Sequence, residues 1–180
     1  MPRLFIAINC AEKTRTLLLS TQDEIKIQST KGSFSRPENL HLTLVFLGET
    51  CETQIPEIAA SIEKILQPPI APFTLTFTQT GCFRHSDKEL WWVGTESTDP
   101  SLQILNRLRQ RLTNALTAAD ITFDSRPFTP HITLGREIKH HAPITLPKQK
   151  IPFPVNRISL MKSERLKGVL VYTEIFGQDL

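Results

Sequence analysis

Two tetrapeptides carry the chemistry in this sequence: His41-Leu42-Thr43-Leu44, and ninety residues later His131-Ile132-Thr133-Leu134. Each falls in an apolar, strand-like run and follows a proline-containing loop, with Pro37 before the first and Pro127 and Pro130 before the second. Side chains alternate along a strand, so the His and Thr of H-x-T share one face while the intervening residues anchor the other. An imidazole titrates near neutral pH, at about 6.5. Two imidazoles facing one cleft can therefore divide the work, one taking a proton from water and the other giving one to a leaving group. Thr43 and Thr133 would hold the non-bridging oxygens of a phosphoryl group, and Arg136 would add positive charge where the transition state needs it.

Other chemistries fit less well. A zinc site needs a third protein ligand, and neither H-x-T copy has a carboxylate or cysteine at ligand spacing. There is no G-x-S-x-G for a serine hydrolase. No P-loop and no G-x-G-x-x-G is present, and no cofactor is expected. His85, His140 and His141 lack a matching context and are assigned to turns and surface. Cys10, Cys51 and Cys82 are odd in number with no C-x-x-C, so all three read as small buried apolar residues.

The elements that must position the pair follow from periodicity. Arg3 to Asn9 is apolar on both faces, as a central strand would be. A helix is expected over 11 to about 28, though its stripe of Ala11, Leu18 and Ile25 is imperfect. Residues 39–48 form a buried strand. Ile55, Ile58, Ala59, Ile62, Ile65 and Leu66 trace an amphipathic helix that Pro68-Pro69 stops. Phe73, Leu75 and Phe77 alternate with threonines in a strand. The polar turn Arg84-His85-Ser86-Asp87-Lys88 leads to another over 89–96. Asp99-Pro100 opens a helix whose stripe runs from Leu102 to Ala119. Strands over 129–136, 155–161 and 169–176 follow, the last two as a hairpin around Lys167-Gly168. A proline-studded loop over about 139–150 is expected to be mobile or irregular. The order β-α-β-α-β-β-α-β-β-β predicts an α+β fold of mostly antiparallel sheets with helices outside.

With 180 residues, 39% of them hydrophobic and 22% charged, the chain is one domain's worth of ordinary globular sequence. No apolar run is long enough to span a membrane, and the N-terminus does not resemble a signal peptide, so a cytoplasmic location is expected. The net charge of +3 is uneven. Eight Lys/Arg against two Glu lie between Arg136 and Lys167, which points to an anionic partner.

The whole pattern resembles the 2H (two-histidine) phosphoesterases, and among them the bacterial and archaeal RNA 2′,3′-cyclic phosphodiesterases, also described as 2′–5′ RNA ligases. The resemblance rests on RLFIAI, ENLHLTLVFLGE, GCF with LWWVG, RPFTPHITLGR and the strand around Ile158-Ser159-Leu160. It implies residues 1–180 folded as one domain of two pseudo-symmetric lobes, each supplying one H-x-T to a cleft between them. It also implies metal-independent hydrolysis of a 2′,3′-cyclic phosphate end of RNA to a 2′-phosphomonoester. His41 would be the proton donor, His131 the proton acceptor, and Thr43, Thr133 and Arg136 the phosphate ligands. Many relatives read Leu-Ala-Arg where this chain has Leu134-Gly135-Arg136, a change expected to alter backbone freedom more than chemistry.

Phe46, Phe83 and Trp92 are candidates to stack on a terminal base, and Arg84, Lys88 and the basic run after Arg136 to guide the RNA backbone. Trp91 and Trp92 are adjacent in a strand, so at most one lines the cleft. A monomer is expected. The same four His and Thr side chains would also serve 2′–5′ linkage cleavage or ligation, or opening of a small cyclic nucleotide. A non-catalytic RNA or nucleotide binder is the alternative outside the enzymes.

Overall fold

The computed structural model describes residues 1–85 and 88–180. Ser86 and Asp87 of the expected polar turn, and the side chain of His85, lie outside what it describes. In chain order the elements are β1 (Arg3–Asn9), α1 (Glu12–Gln28), β2 (Lys31–Phe34), β3 (His41–Glu49), α2 (Ile55–Ile65), β4 (Phe73–His85) and β5 (Lys88–Thr95). They continue with α3 (Ser101–Ala118), β6 (His131–Lys139), β7 (Ile151–Val155), β8 (Arg157–Leu166) and β9 (Val169–Asp179).

The strands form two antiparallel sheets, ordered β3-β1-β8-β9 and β2-β6-β5-β4-β7. The fold is α+β, as expected. β1 is central to the first sheet and buried on both faces. Leu4, Ile6 and Ile8 enter the main core, while Phe5 and Ala7 join Met161 in a small apolar cluster on the other face, under Phe46 and Tyr172. The first H-x-T lies at the start of β3 and the second at the start of β6, and these two strands meet where the sheets adjoin.

Two differences from the sequence-based expectations appear in the fold. Two edge strands were not expected. β2 is the short, mostly exposed Lys-Gly-Ser-Phe, and β7 alternates buried Ile151, Phe153 and Val155 with Pro152 and Pro154. Proline is tolerated there because an edge strand has one unpaired side. The single strand expected over 155–161 is therefore divided, with β7 in one sheet and β8 in the other.

The stretch over 140–150 is irregular, as expected, and it is anchored to the body of the fold. Gln28 Nε2 donates to Thr145 O and Gln28 Oε1 accepts from Thr145 N–H, both at 2.9 Å, while Ile144 and Leu146 pack on the core. Finally, Cys51 is an exposed thiol that accepts from the Thr53 hydroxyl, whereas Cys10 is buried and its thiol is pushed up to about 12 by that burial.

The imperfect stripe of α1 is completed by polar residues. Thr14, Thr21 and Gln22 are buried beside Leu18 and Ile25. Thr14 donates to Pro152 O at 2.6 Å. Gln22 Nε2 donates to both Ser35 O and Leu134 O at 2.8 Å, clamping α1 onto the strand that carries the second motif. Asp99 caps α3 through Ser101 N–H at 2.8 Å, and its second oxygen accepts from Thr76 N–H.

Candidate active site

Both H-x-T motifs face one cavity of about 820 Å³, whose walls include His41, Thr43, His131, Thr133 and Arg136. The two strands present their motifs in the same way. Along each, half-buried His and Thr alternate with fully buried residues, and the alternation breaks after the fourth position. In β3 the pairing with β1 steps from Thr43–Ala7 to Val45–Ile6, leaving Leu44 as the extra residue of a bulge. In β6 the pairing with β5 steps from Thr133–Trp92 to Gly135–Trp91, leaving Leu134 as the extra residue. A bulge reverses the facing of the residues beyond it. Phe46 and Arg136 consequently turn onto the cavity.

The imidazoles are held alike. His41 Nδ1–H donates to Asn39 O and His131 Nδ1–H to Thr129 O, each at 2.7 Å and each to the carbonyl two residues back. A carbonyl can only accept, so the proton sits on Nδ1 and the lone pair of the neutral ring is on Nε2. Thr43 Oγ1 lies 3.0 Å from His41 Nε2. His41 is packed on Phe5 (ring centroids 4.8 Å apart) and meets the edge of Tyr172 (5.2 Å).

Burial pushes His41 down to about 4, the Arg136 and His131 charges add to this, and the Asn39 carbonyl opposes it. Burial also lowers His131, with Arg136 adding and the Thr129 carbonyl opposing. At neutral pH both rings are neutral.

The aromatic candidates divide. Phe46 lines the cavity under the Arg3 guanidinium, 4.9 Å from its centroid. Phe83 and Trp92 lie outside the cavity lining, stacked beside His131, their rings 5.3 Å apart and 5.3 and 6.3 Å from it. Gly81, opposite Trp92, gives that ring room, since a Cβ there would meet the indole at 2.6 Å. Trp91 faces the core instead, with Nε1–H donating to Glu89 at 2.8 Å.

The basic candidates divide too. Arg84 lies outside the cavity lining and pairs with Glu89 at 2.9 Å, while Lys88 pairs with Glu137 at 2.6 Å. Arg157 is engaged by Glu174 and Asp179, and Lys162 by Glu164. Of the basic run, Arg136 and Arg165 line the cavity. His140 is half-buried against Glu89 at 3.0 Å rather than a free surface group, while His141 is exposed. Among the described residues no cluster of three or more His, Cys, Asp or Glu is placed to hold a metal ion.

Several cavity residues were not picked out from the sequence: Arg3, Arg36, Asn39, Ser163 and Tyr172. Tyr172 comes from β9, and Asn39 from a short 3-10 turn, Pro37–Asn39. Nothing in their spacing signals a site, because β9 reaches the first histidine only through the tertiary fold. No helix of the described residues is long and apolar enough to cross a membrane.

The chain is similar to known proteins in both sequence and fold. Residues 20–167 match the 2′-5′ RNA ligase superfamily. The RNA 2′,3′-cyclic phosphodiesterase of Thermus thermophilus is 32% identical over 175 residues, covering 95% of this chain and 86% of that protein. The enzyme of the same name from Escherichia coli is 30% identical over 175 residues, covering 96% and 93%. Among solved structures, TT0787 of Thermus thermophilus superposes with a TM-score of 0.80 at 29% identity, covering 99% of this chain and 97% of that one. Apo LigT of E. coli superposes at 0.77 with 26% identity, covering 99% and 96%. By sequence and fold together, the chain belongs to the 2′-5′ RNA ligase superfamily.

Proposed function

We propose that this protein is an RNA 2′,3′-cyclic phosphodiesterase that opens a terminal cyclic phosphate to a 2′-phosphomonoester. The strongest support is the matched pair of imidazoles, each with Nδ1–H fixed by the carbonyl two residues back and both on one cavity beside two threonines and Arg136. A binding module has no use for two such rings.

In this reading the cyclic phosphate sits between the motifs, its non-bridging oxygens on Thr43, Thr133 and Arg136. Neutral His131 Nε2 takes a proton from a water as that oxygen attacks phosphorus. The bond from phosphorus to the 3′ oxygen breaks, and protonated His41 donates its Nε2 proton to that oxygen. The phosphate stays on the 2′ oxygen, and the two histidines exchange protons with solvent to reset. The anion itself makes protonated His41 easier to form, since opposite charge nearby favours the imidazolium. Arg136 stabilises charge building on the equatorial oxygens.

We read the two sheets as two pseudo-symmetric lobes of one domain, and the protein as a cytoplasmic monomer that works without metal. The test is a short RNA ending in 2′,3′-cyclic phosphate, incubated with the protein in EDTA. A 2′-phosphate product, lost in His41→Ala and His131→Ala, supports the reading. Binding without turnover, or turnover only with added metal, overturns it.

A further inference from the structure

The cavity extends past the two H-x-T motifs, and a second basic group of residues lines it there. Along β1 the side chains that share the Phe5 face are Arg3, Phe5, Ala7 and Asn9. In register with β3 and β8, Ala7 stands beside Thr43 and Ser159, Phe5 beside Phe46 and Met161, and Arg3 beside Glu49, which is outside the cavity lining, and Ser163. Arg3 is thus four residues from the level of Thr43, about 13 Å at ~3.3 Å per residue. Arg165 lies two residues beyond Ser163 on β8, hence on the same face, and also lines the cavity.

The chemistry of this end is specific. Its lining carboxylate, Glu164, is engaged by Lys162 at 3.1 Å. Arg165 uses one Nη1–H on Gly168 O at 3.2 Å, leaving the rest of its fork open to the cavity. Arg3 rests over the Phe46 ring, an arrangement that holds the planar guanidinium in place before any ligand arrives. Between the two basic centres the walls are the rings of Phe46 and Tyr172. A base or ribose suits that middle stretch, and a phosphate suits each end.

Resting on the proposed reaction, we infer that Arg3, Ser163 and Arg165 form a subsite for an upstream phosphodiester of the RNA chain. The site then grips an oligonucleotide at two phosphates. A 2′,3′-cyclic mononucleotide, whose single phosphate is held by the H-x-T pair, reaches only one.

The experiment compares kcat/KM on a 2′,3′-cyclic mononucleotide and on a short oligoribonucleotide with the same terminal nucleotide, for the unaltered protein, Arg3→Ala, Arg3→Lys and Ser163→Ala. Arg3→Ala should lose roughly tenfold more on the oligonucleotide than on the mononucleotide, the worth of one charge-assisted hydrogen bond. The loss should fall in KM, with Arg3→Lys restoring part of it. The salt dependence of oligonucleotide binding should flatten by about 0.7 in log–log slope for each single-strand phosphate contact removed. Equal losses on both substrates, or none on either, would overturn the subsite. If the unaltered protein hydrolyses neither, it is the proposed reaction that fails. Fluorescence-anisotropy affinities for the same oligonucleotide and a nucleoside 3′-phosphate then decide the subsite, by the same difference or its absence in Arg3→Ala.

Discussion

Phe46 and Arg136 hold the same place in two different strands. Each stands five residues beyond its histidine, and each is turned onto the cavity by a bulge at the leucine of H-x-T-L. The repeat visible as four letters is thus a repeat of backbone geometry as well. One copy delivers an apolar ring and the other a guanidinium, so the two halves of the site are matched in shape and opposite in character. A second irregularity, Glu137 at φ 54, follows Arg136 in β6.

From this pairing Arg136→Ala should lower kcat by about a hundredfold, as loss of one donor to the developing charge does. Phe46→Ala should act chiefly on KM. The charge of Arg136 also depresses both imidazoles. For free enzyme, the kcat/KM profile of the unaltered protein should be a bell with flanks at about 4 and below 6.5, belonging to the coupled pair rather than to either ring. In Arg136→Ala both flanks move to higher pH. A profile that stays in place would show that the guanidinium does not act on the rings.

Stability carries the same signature. Unfolded, His41 titrates near 6.5, and folded, at about 4. Between those values the unfolded chain binds a proton that the folded chain refuses. Stability therefore rises with pH across the window: the contribution is whole above 6.5 and is lost as pH falls to 4. The size is about 3 kcal/mol for a shift of this extent. His131 acts in the same direction. Denaturant titrations at about pH 7.5 and about pH 4.5, on either side of most of that window, should show a smaller pH-dependent loss for His41→Gln than for the unaltered protein. An equal loss in both would place the burden on other groups.

Much of this site was legible because strand alternation puts His and Thr of H-x-T on one face whatever surrounds them. The helices with clear stripes, α2 and α3, were legible for the same reason. Alternation alone does not place Arg136, which charge and resemblance both pointed to, since a strictly alternating strand would send it into the core with Ile132 and Leu134. β7 was hidden by two prolines that an edge strand accepts. The buried face of α1 was hidden by Thr14, Thr21 and Gln22, which are polar yet satisfied by carbonyls of their own helix and of distant strands. Arg3 and Tyr172 carried no local signal at all. Their roles come from register between strands far apart in the chain.

Asn39 joins the first histidine to β9. Its carbonyl holds His41 Nδ1–H, and its side-chain amide donates to Leu170 O at 2.9 Å, two residues before Tyr172, whose edge meets the same imidazole. Asn39→Ala keeps the carbonyl and cuts the link to β9. His41 should then be better solvated, and its titration, followed by imidazole NMR, should move up from about 4. The lost hydrogen bond should cost about 1 kcal/mol of stability. Loss of stability with no change in the titration would make Asn39 a structural clip only.

Gly135 stands between Leu134 and Arg136, and the reason for a glycine there lies in packing more than in backbone freedom. A Cβ at this position would meet Ile138 Cδ1 at 2.9 Å and the Phe34 ring at 3.0 Å. Phe34 is itself a wall of the cavity, on β2, and it pairs directly with Gly135. The glycine thus lets an aromatic side chain lie close over the strand that carries His131. Gly135→Ala should push Phe34 outward, costing about 1–3 kcal/mol as overpacking does. It should raise KM by narrowing the cavity while leaving the pH flanks of kcat/KM in place, because neither imidazole loses its carbonyl partner. Pairing Gly135→Ala with Phe34→Leu should relieve the crowding and recover most of the stability. If the double variant is no more stable than the single one, the close approach of Phe34 is not what the glycine serves.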